Sequence, residues 1–430
     1  MRCFDLLHKI GAKPGDRIKV ETNKGTYSGV LLPSSNFLEI KLSNGYNVGF
    51  MTESVKRLSL LEKASAHPKK NADKKNLDSK LPLIFILHTG GTIASKVDYS
   101  TGGVSPSIDS EEIISEIPEI SKIANIKSVF VSNVLSEEIC FQHYGLFARA
   151  IKNAIEEKPK GIIITHGTDT MHYSASAMSF IFENLPLPII FVGSQRSSDR
   201  PSTDAKLNMI NAAKFITKTD FVGVAICMHA DISDDSCYIL PGTKSRKMHS
   251  TRRDAFRAIN SSPIAKVSQE SIEYLQKYQK YSGGQLKIND KFEERVAILR
   301  ARPGLRAEEI KFFQEKEYKG LIIEGTGMGH IAISEGKNTE NLEAVRSLID
   351  SGCVVCMTTQ CIFGRTNPNV YSTGRRLKEV GVIFLEDMTT ETAYIKLSWL
   401  IGNFGLEKAK ELMQKNLRGE IDERSGLEFL

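Results

Sequence analysis

Leu83-Ile84-Phe85-Ile86-Leu87-His88-Thr89-Gly90-Gly91-Thr92-Ile93-Ala94 opens with five consecutive apolar residues and closes on a glycine pair set between threonines. The run has the length of a strand, and a strand apolar at every position is buried on both faces. A second stretch, Gly161-Ile162-Ile163-Ile164-Thr165-His166-Gly167-Thr168-Asp169-Thr170, repeats the design. Both motifs place hydroxyls, and the second also a carboxylate, at the carboxyl ends of what read as parallel strands. In open α/β sheets that edge is where ligands bind.

Around these two segments the chain alternates. Apolar runs at 83–87, 128–131, 161–164, 188–192 and 222–227 are separated by helix-length amphipathic stretches such as 111–124, 141–156 and 173–183. That is βαβ repetition, and it predicts a doubly wound parallel sheet with both faces covered. The rhythm is lost over 265–290. It resumes on a smaller scale with expected strands at 296–299, 320–323, 354–357 and 382–385. The predicted outline is an α/β domain over 81–275, a connection at 276–290 and a smaller α/β domain over 291–430.

The N-terminal region reads differently. Gly15-Asp16-Arg17, Asn23-Lys24-Gly25 and Ser43-Asn44-Gly45 are turn signals between short runs that alternate with period two, among them Ile18/Val20, Leu38/Ile40/Leu42 and Val48/Phe50. A small all-β, SH3- or Sm-like barrel over residues 1–61 is expected. A docking or RNA-contacting role and a purely structural role both suit so small a unit. Residues 62–80, rich in lysines and acids around Pro68, read as a charged linker.

Composition narrows the class. The 430 residues are 41% hydrophobic and 25% charged, ordinary for a globular chain, and a net charge of +6 permits an anionic partner without demanding one. No apolar run approaches the roughly 18 residues that span a bilayer. Met1-Arg2-Cys3-Phe4-Asp5 carries an acid where a secretory signal needs an apolar stretch. Seven scattered cysteines argue against a disulfide framework, so a cytoplasmic address is expected. Cys353, Cys356 and Cys361 lie close in sequence but lack a fourth ligand at zinc-like spacing, and Cys353-Val354-Val355-Cys356-Met357 reads as a buried strand.

Threonine is a weak nucleophile and attacks an amide only with a base and an oxyanion site at hand. Gly90-Gly91 before Thr92 lets the backbone turn sharply and approach a substrate closely, although a structural Gly-Gly turn reads the same way. Thr168-Asp169 at a strand end equally suits a helix cap. Lys244, Arg246, Lys247, Arg252, Arg253 and Arg257 form a basic segment that reads as solvated or as facing a phosphate backbone.

Taken together and in this order, the two threonine motifs resemble the signature segments of the L-asparaginase/glutaminase family. Arg246-Lys247-Met248-His249 followed by Asp254-Ala255-Phe256 is similar to the segment that supplies that family's site lysine. The resemblance implies the asparaginase-like two-lobed fold and assigns roles by motif. Thr92 attacks the side-chain amide to give an acyl-enzyme and ammonia. Thr168, Asp169 and Lys247 manage the protons, the lysine as relay. Ser136, in Leu135-Ser136-Glu137-Glu138, matches the loop that takes the substrate carboxylate, and Asp169 also holds the substrate ammonium. Glu137 stands where free asparaginases generally carry glutamine. Tyr99 is the nearby counterpart of the family's loop tyrosine, at a shorter spacing from Thr92 than in the secreted bacterial enzymes.

The β-rich N-terminus and linker, with Gly193-Ser194-Gln195-Arg196-Ser197-Ser198-Asp199-Arg200-Pro201 and Asn369-Val370-Tyr371-Ser372-Thr373-Gly374-Arg375, resemble one branch of the family. That branch comprises the D-type subunits (GatD) of archaeal glutamyl-tRNA(Gln) amidotransferases. It implies a glutaminase that hydrolyses glutamine or asparagine and passes ammonia to an E-type partner, which amidates Glu-tRNA(Gln). A homodimer core within a heterotetramer, tRNA contact mainly through the partner and no membrane partner belong to the same expectation. So does the absence of a cofactor on this chain, with ATP and Mg2+ used by the E-type partner. No Gly-x-x-x-x-Gly-Lys-Ser/Thr phosphate loop occurs, while Gly325-Thr326-Gly327-Met328-Gly329 has the glycine density of a nucleotide loop. A free-standing cytosolic asparaginase and a non-catalytic RNA- or protein-binding scaffold are the competing readings. The extra N-terminal domain argues against the first, and the full set of site residues against the second.

Overall fold

The computed structural model describes residues 7, 9–32, 38–42, 47–63, 78–91, 95–97, 104–106, 117–196 and 203–424. Strands β1 (Arg17–Thr22), β2 (Gly25–Leu32), β3 (Leu38–Leu42), β4 (Asn47–Phe50) and β5 (Val55–Glu62) form an antiparallel sheet in the order β4-β3-β2-β1-β5. Period-two alternation turns Ile18, Val20, Leu31, Leu38, Ile40 and Phe50 to one side, where they make a small core of their own. Among the described residues β4 and β5 do not pair, so the expected barrel is seen as an open five-stranded sheet rather than a closed ring.

The first lobe runs through β6 (Leu83–Gly90), the short antiparallel pair β7 (Ser95–Val97) and β8 (Val104–Pro106), β9 (Asn125–Val134), α1 (Phe141–Glu156), β10 (Gly161–Thr165), α2 (Met171–Ile181), β11 (Phe182–Glu183), β12 (Pro188–Val192), α3 (Ala205–Lys218) and β13 (Gly223–His229). It continues with β14 (Ser236–Pro241), β15 (Ser245–Lys247), β16 (Phe256–Ala258), β17 (Ala265–Ser268) and β18 (Ile272–Tyr274). Its main sheet has the order β18-β17-β14-β13-β12-β10-β6-β9. The strands from β13 to β9 are parallel, as the βαβ alternation of the sequence predicts.

Three strands not foreseen from the sequence, β14, β17 and β18, extend this parallel sheet with an antiparallel edge. Only residues 230–235 separate β13 from β14, too few for the crossover a parallel neighbour requires. Register explains the two-faced burial. Phe85 pairs with Ile162 and Leu87 with Ile164, facing α1 and α2, while Ile84, Ile86 and Ile163 face the other way toward Met209, Ala212 and Phe215 of α3.

Within the expected connection, β19 (Lys287–Ile288) returns to pair with β11. The second lobe follows with β20 (Val296–Arg300), α4 (Ala307–Glu315), β21 (Gly320–Gly325), α5 (Thr339–Asp350), β22 (Val354–Thr359), α6 (Ser372–Glu379), β23 (Ile383–Phe384), α7 (Thr390–Phe404) and α8 (Leu406–Leu412). Its sheet is parallel throughout, in the order β20-β21-β22-β23. Helix α7 packs against α2, with Trp399 stacked on Phe180 at 5.4 Å and Thr392 bonded to Ser176 at 2.8 Å. One apolar core therefore runs from Phe85 and Leu87 through α2 to Leu397, Ile322 and Val354, so the two lobes share an interior.

Candidate active site

Strands β6 and β10 are parallel neighbours, with His88 opposite Thr165, so their carboxyl ends and the two threonine motifs fall side by side. Gly90 and Gly91 take φ of 112° and 83°, where a side chain is strained. A Cβ on Gly91 would lie 2.2 Å from the Gly167 nitrogen, and one on Gly167 would lie 2.7 Å from the Ser136 Cβ. Three chain segments thus meet at backbone contact, which only glycine permits. The Thr89 hydroxyl donates to the Thr165 carbonyl at 2.8 Å and the Ser132 hydroxyl to the Thr89 carbonyl at 2.9 Å, fixing the approach. Beyond Gly91 the chain enters Thr92, which, like Tyr99, lies outside the described residues.

The structure brings Thr168, Asp169, Lys247 and Ser136 together. The Lys247 ammonium donates to the Thr168 hydroxyl at 2.8 Å and to Asp169 Oδ1 at 2.7 Å. The Ser136 hydroxyl lies 3.5 Å from Asp169 Oδ2 and accepts from the Asp169 amide at 3.3 Å. The Thr170 hydroxyl holds the Ser136 carbonyl at 2.6 Å. Thr168 and Ser136 are buried and Asp169 is exposed, so the group has a closed floor and an open rim. Glu137 follows Ser136 on an exposed 3-10 turn. The capping alternative fails here: α2 begins after Thr170 with no side-chain cap, and the Thr168 and Asp169 side chains turn to Lys247 instead.

Two histidines that sequence reasoning left without a role support this floor. His166 is fully buried, its Nδ1 2.6 Å from the Gly167 carbonyl and its Nε2 2.8 Å from the Ser174 hydroxyl. A carbonyl only accepts, so Nδ1 carries the proton. His88 bridges Thr165 and Ser128 at 3.1 and 2.7 Å. Burial pushes both imidazoles down to about 4, which keeps them neutral hydrogen-bonding props. The only sequence signal for His166 was its place inside the second motif.

Each cation of the basic segment already faces a carboxylate. Lys244 meets Asp387 and Asp422, Arg246 meets Glu391 at 3.1 Å, and Arg253 meets Asp234. Arg252 and Arg257 both donate to Asp254 at 2.8 Å. Burial favours a neutral Asp254, but the two guanidiniums outweigh it and hold the carboxyl below its usual range. The segment is therefore an ion-paired hairpin rather than a row of free cations. The glycine-rich loop after β21 is likewise closed on itself. The amides of Thr326, Gly329 and His330 donate within the loop and are not presented to a phosphate. Cys353 and Cys356 pack in the second-lobe interior, where burial pushes the Cys353 thiol up to about 12.

Family models match three consecutive parts of the chain: the GatD N-terminal domain over 12–61, the N-terminal asparaginase domain over 83–280, and the glutaminase/asparaginase C-terminal domain over 295–413. The glutamyl-tRNA(Gln) amidotransferase D subunit of Pyrococcus furiosus is 43% identical over 98% of this chain and 98% of its own. That of Methanococcus maripaludis strain C6 is 45% identical over 96% and 99%. Among solved structures, the thermostable L-asparaginase of Thermococcus kodakarensis superposes with a TM-score of 0.72 at 31% identity, covering 79% of this chain and 99% of that one. The portion that asparaginase leaves uncovered corresponds in size to the N-terminal sheet and linker. With these three matches and near-complete coverage in both directions, the chain belongs to the GatD family of glutamyl-tRNA(Gln) amidotransferase subunits, built on the asparaginase fold.

Proposed function

We propose that this chain is the amide-hydrolysing component of a glutamyl-tRNA(Gln) amidotransferase and releases ammonia from glutamine for transfer to glutamate esterified on tRNA. The observation that carries the reading is Lys247, bonded at once to Thr168 and Asp169 beside the Gly91–Gly167 contact. Gly91 directly precedes Thr92 in the chain. In the proposed reaction the Thr92 hydroxyl loses its proton as its oxygen bonds to the side-chain carbonyl carbon. The amide nitrogen gains a proton and leaves as ammonia. Water then cleaves the acyl ester, frees glutamate and restores the hydroxyl. The hydroxyl–amine–carboxylate chain of Thr168, Lys247 and Asp169 offers a continuous route for these protons over 2.8 and 2.7 Å steps. The exposed rim of Asp169 suits the substrate ammonium and Ser136 the substrate carboxylate, with Glu137 next to Ser136 and Tyr99 assigned to substrate binding by its motif alone.

The family places the chain in an amidotransferase complex, and the finer assembly belongs to the same proposal. A homodimer of this chain combines with two copies of the E-type partner to give a heterotetramer. That partner binds Glu-tRNA(Gln) and uses ATP and Mg2+, while this chain holds no cofactor. The closed glycine loop and the ion-paired basic hairpin favour that division. Among the described residues no helix is long and apolar enough to cross a membrane, and the proposed site of action is the cytoplasm.

Ammonia release from glutamine and asparagine tests the reading, measured for the chain alone and with the E-type partner, Glu-tRNA(Gln) and ATP. Glutamine turnover stimulated by the complex and abolished by Thr92→Val is the expected result. Full asparagine turnover by the lone chain, indifferent to the partner, would make it a free-standing asparaginase.

A further inference from the structure

Lys247 does not hold its own position. It sits on β15, a three-residue strand paired only with β16, and short hairpins are unstable without tertiary support. Alternate residues of an extended strand face opposite ways. Lys247 therefore points toward Thr168 and Asp169, while Lys244 and Arg246 point away, into the second lobe. There they meet residues at and just before the start of α7. The Lys244 ammonium, almost fully buried, bonds Asp387 and Asp422, and Arg246 Nε lies 3.1 Å from Glu391 Oε1. The Thr392 hydroxyl adds a bond to the Thr243 carbonyl at 2.8 Å. Three anchors within residues 387–392 thus grip three positions within 243–246, immediately before the site lysine.

The anchors are themselves fixed. Asp387 is buried, and its other oxygen accepts from the Asp422 amide at 3.0 Å. Its carbonyl accepts from the Asn260 side chain, which also bonds both the carbonyl and the amide of Gly364. Glu391 is buried, with Oε2 lacking a hydrogen-bond partner, so Arg246 is its principal compensation. A buried carboxylate with one cationic partner holds that partner firmly, because separating them leaves an unpaired charge in low dielectric.

We propose that Asp387 and Glu391 are positioning residues for amide hydrolysis: they pin the outward side chains of the β15 segment and thereby set Lys247 on Thr168 and Asp169 from the second lobe. This rests on the amidohydrolase reading above, in which Lys247 relays protons. Neither carboxylate touches Lys247, so its effect passes through the strand.

The test uses the full chain with its complex and reads ammonia release from glutamine in Glu391→Gln, Asp387→Asn and Arg246→Lys. Glu391→Gln is expected to lower kcat at least tenfold with KM within about twofold, and Arg246→Lys, which keeps the charge, to recover most of the rate. In a Lys247→Met background the same Glu391→Gln change should cost less than twofold more, since the group it acts through is gone. Ile323→Val, a second-lobe core change, serves as a stability-matched control and should leave kcat unaltered. An unchanged kcat in Glu391→Gln, or losses that multiply in the double variant, would overturn the proposal. Crystal structures of the variants decide it independently of turnover. Lys247 Nζ beyond hydrogen-bonding range of Thr168 and Asp169 supports it, and distances retained at 2.7–2.8 Å refute it. A wild-type chain that releases no ammonia would instead count against the amidohydrolase reading alone.

Discussion

The site depends on a few atoms whose absence matters as much as their presence. Gly167 is the clearest case. A methyl group there would stand 2.7 Å from the Ser136 Cβ and 2.9 Å from its hydroxyl, so Ser136 must retreat and lose its contact with Asp169. Gly167→Ala is expected to cut kcat/KM for glutamine at least tenfold while the protein still folds. Steady-state kinetics beside a thermal melt will show this. Gly91→Ala should be more severe, because the added methyl meets backbone at 2.2 Å and the residue sits at φ of 83°. Thr168, Asp169, Lys247 and Ser136 were legible as a set through the family resemblance of their motifs, since by residue type alone Thr168-Asp169 suits a helix cap and Lys247 a solvated loop. His166 was not, since its work is to hold the Gly167 carbonyl and nothing in residue type announces that.

At the scale of elements, strands were read more accurately than their neighbours. Four of the five first-lobe runs begin within two residues of the observed strands, because a strand buried on both faces is apolar at every position. The run at 128–131 instead marked only the middle of β9, an edge strand whose partial exposure interrupts the pattern. Strands β14, β17 and β18 were missed as a sheet because they are short and lack a continuous apolar run: β14 and β17 alternate buried with partly buried positions, and β18 is largely exposed. Helix α7 was equally silent. Its N-cap is Thr389, whose side chain accepts from the Thr392 amide at 3.3 Å, and its first turn carries Glu391. Thr389→Ala should destabilise the chain by about 1 kcal/mol. For a protein of this size that lowers Tm by roughly 1 °C, measurable by calorimetry. Ammonia release should fall further than this loss of stability alone explains, since the turn that holds Arg246 is loosened.

The molecule as a whole carries a pH dependence written in its buried histidines. Burial holds His88 and His166 at about 4 and His172 at about 3, whereas each titrates near 6.5 in an unfolded chain. Their folded values are depressed, so the unfolded state binds protons first as the medium is acidified. Their contribution is complete above about pH 6.5 and is lost as pH falls toward 4, on the order of 3 kcal/mol for His88 alone. The denaturation midpoint should fall steadily between pH 7 and pH 5. A His88→Asn variant should show a shallower fall over the same range; an equal slope would place the effect elsewhere. The common core from Phe85 to Val354 makes lobe separation costly, and within the second lobe the buried Lys396–Glu420 pair, 2.6 Å apart, ties α7 to the chain after α8.

Sequence alone determined the parallel strands, the order of the lobes, the N-terminal β unit and the residues gathered at the strand ends. Each follows from local pattern: apolar runs, turn residues and motifs whose chemistry is carried by neighbours in the chain. Only the tertiary structure decided that the basic hairpin is neutralised rather than offered to a ligand. It settled, between the cap and the lysine partner that the sequence left open, that Thr168 and Asp169 bond Lys247, and it alone showed that the second lobe grips the strand carrying that lysine. Whereas Arg252, Arg253 and Arg257 find their carboxylates nearer in the chain, the contacts of Lys244, Arg246 and Lys247 join residues about 80 to 180 positions apart. An ion pair at that separation leaves no local pattern, because a charged side chain looks the same in sequence whether it meets water or a buried partner.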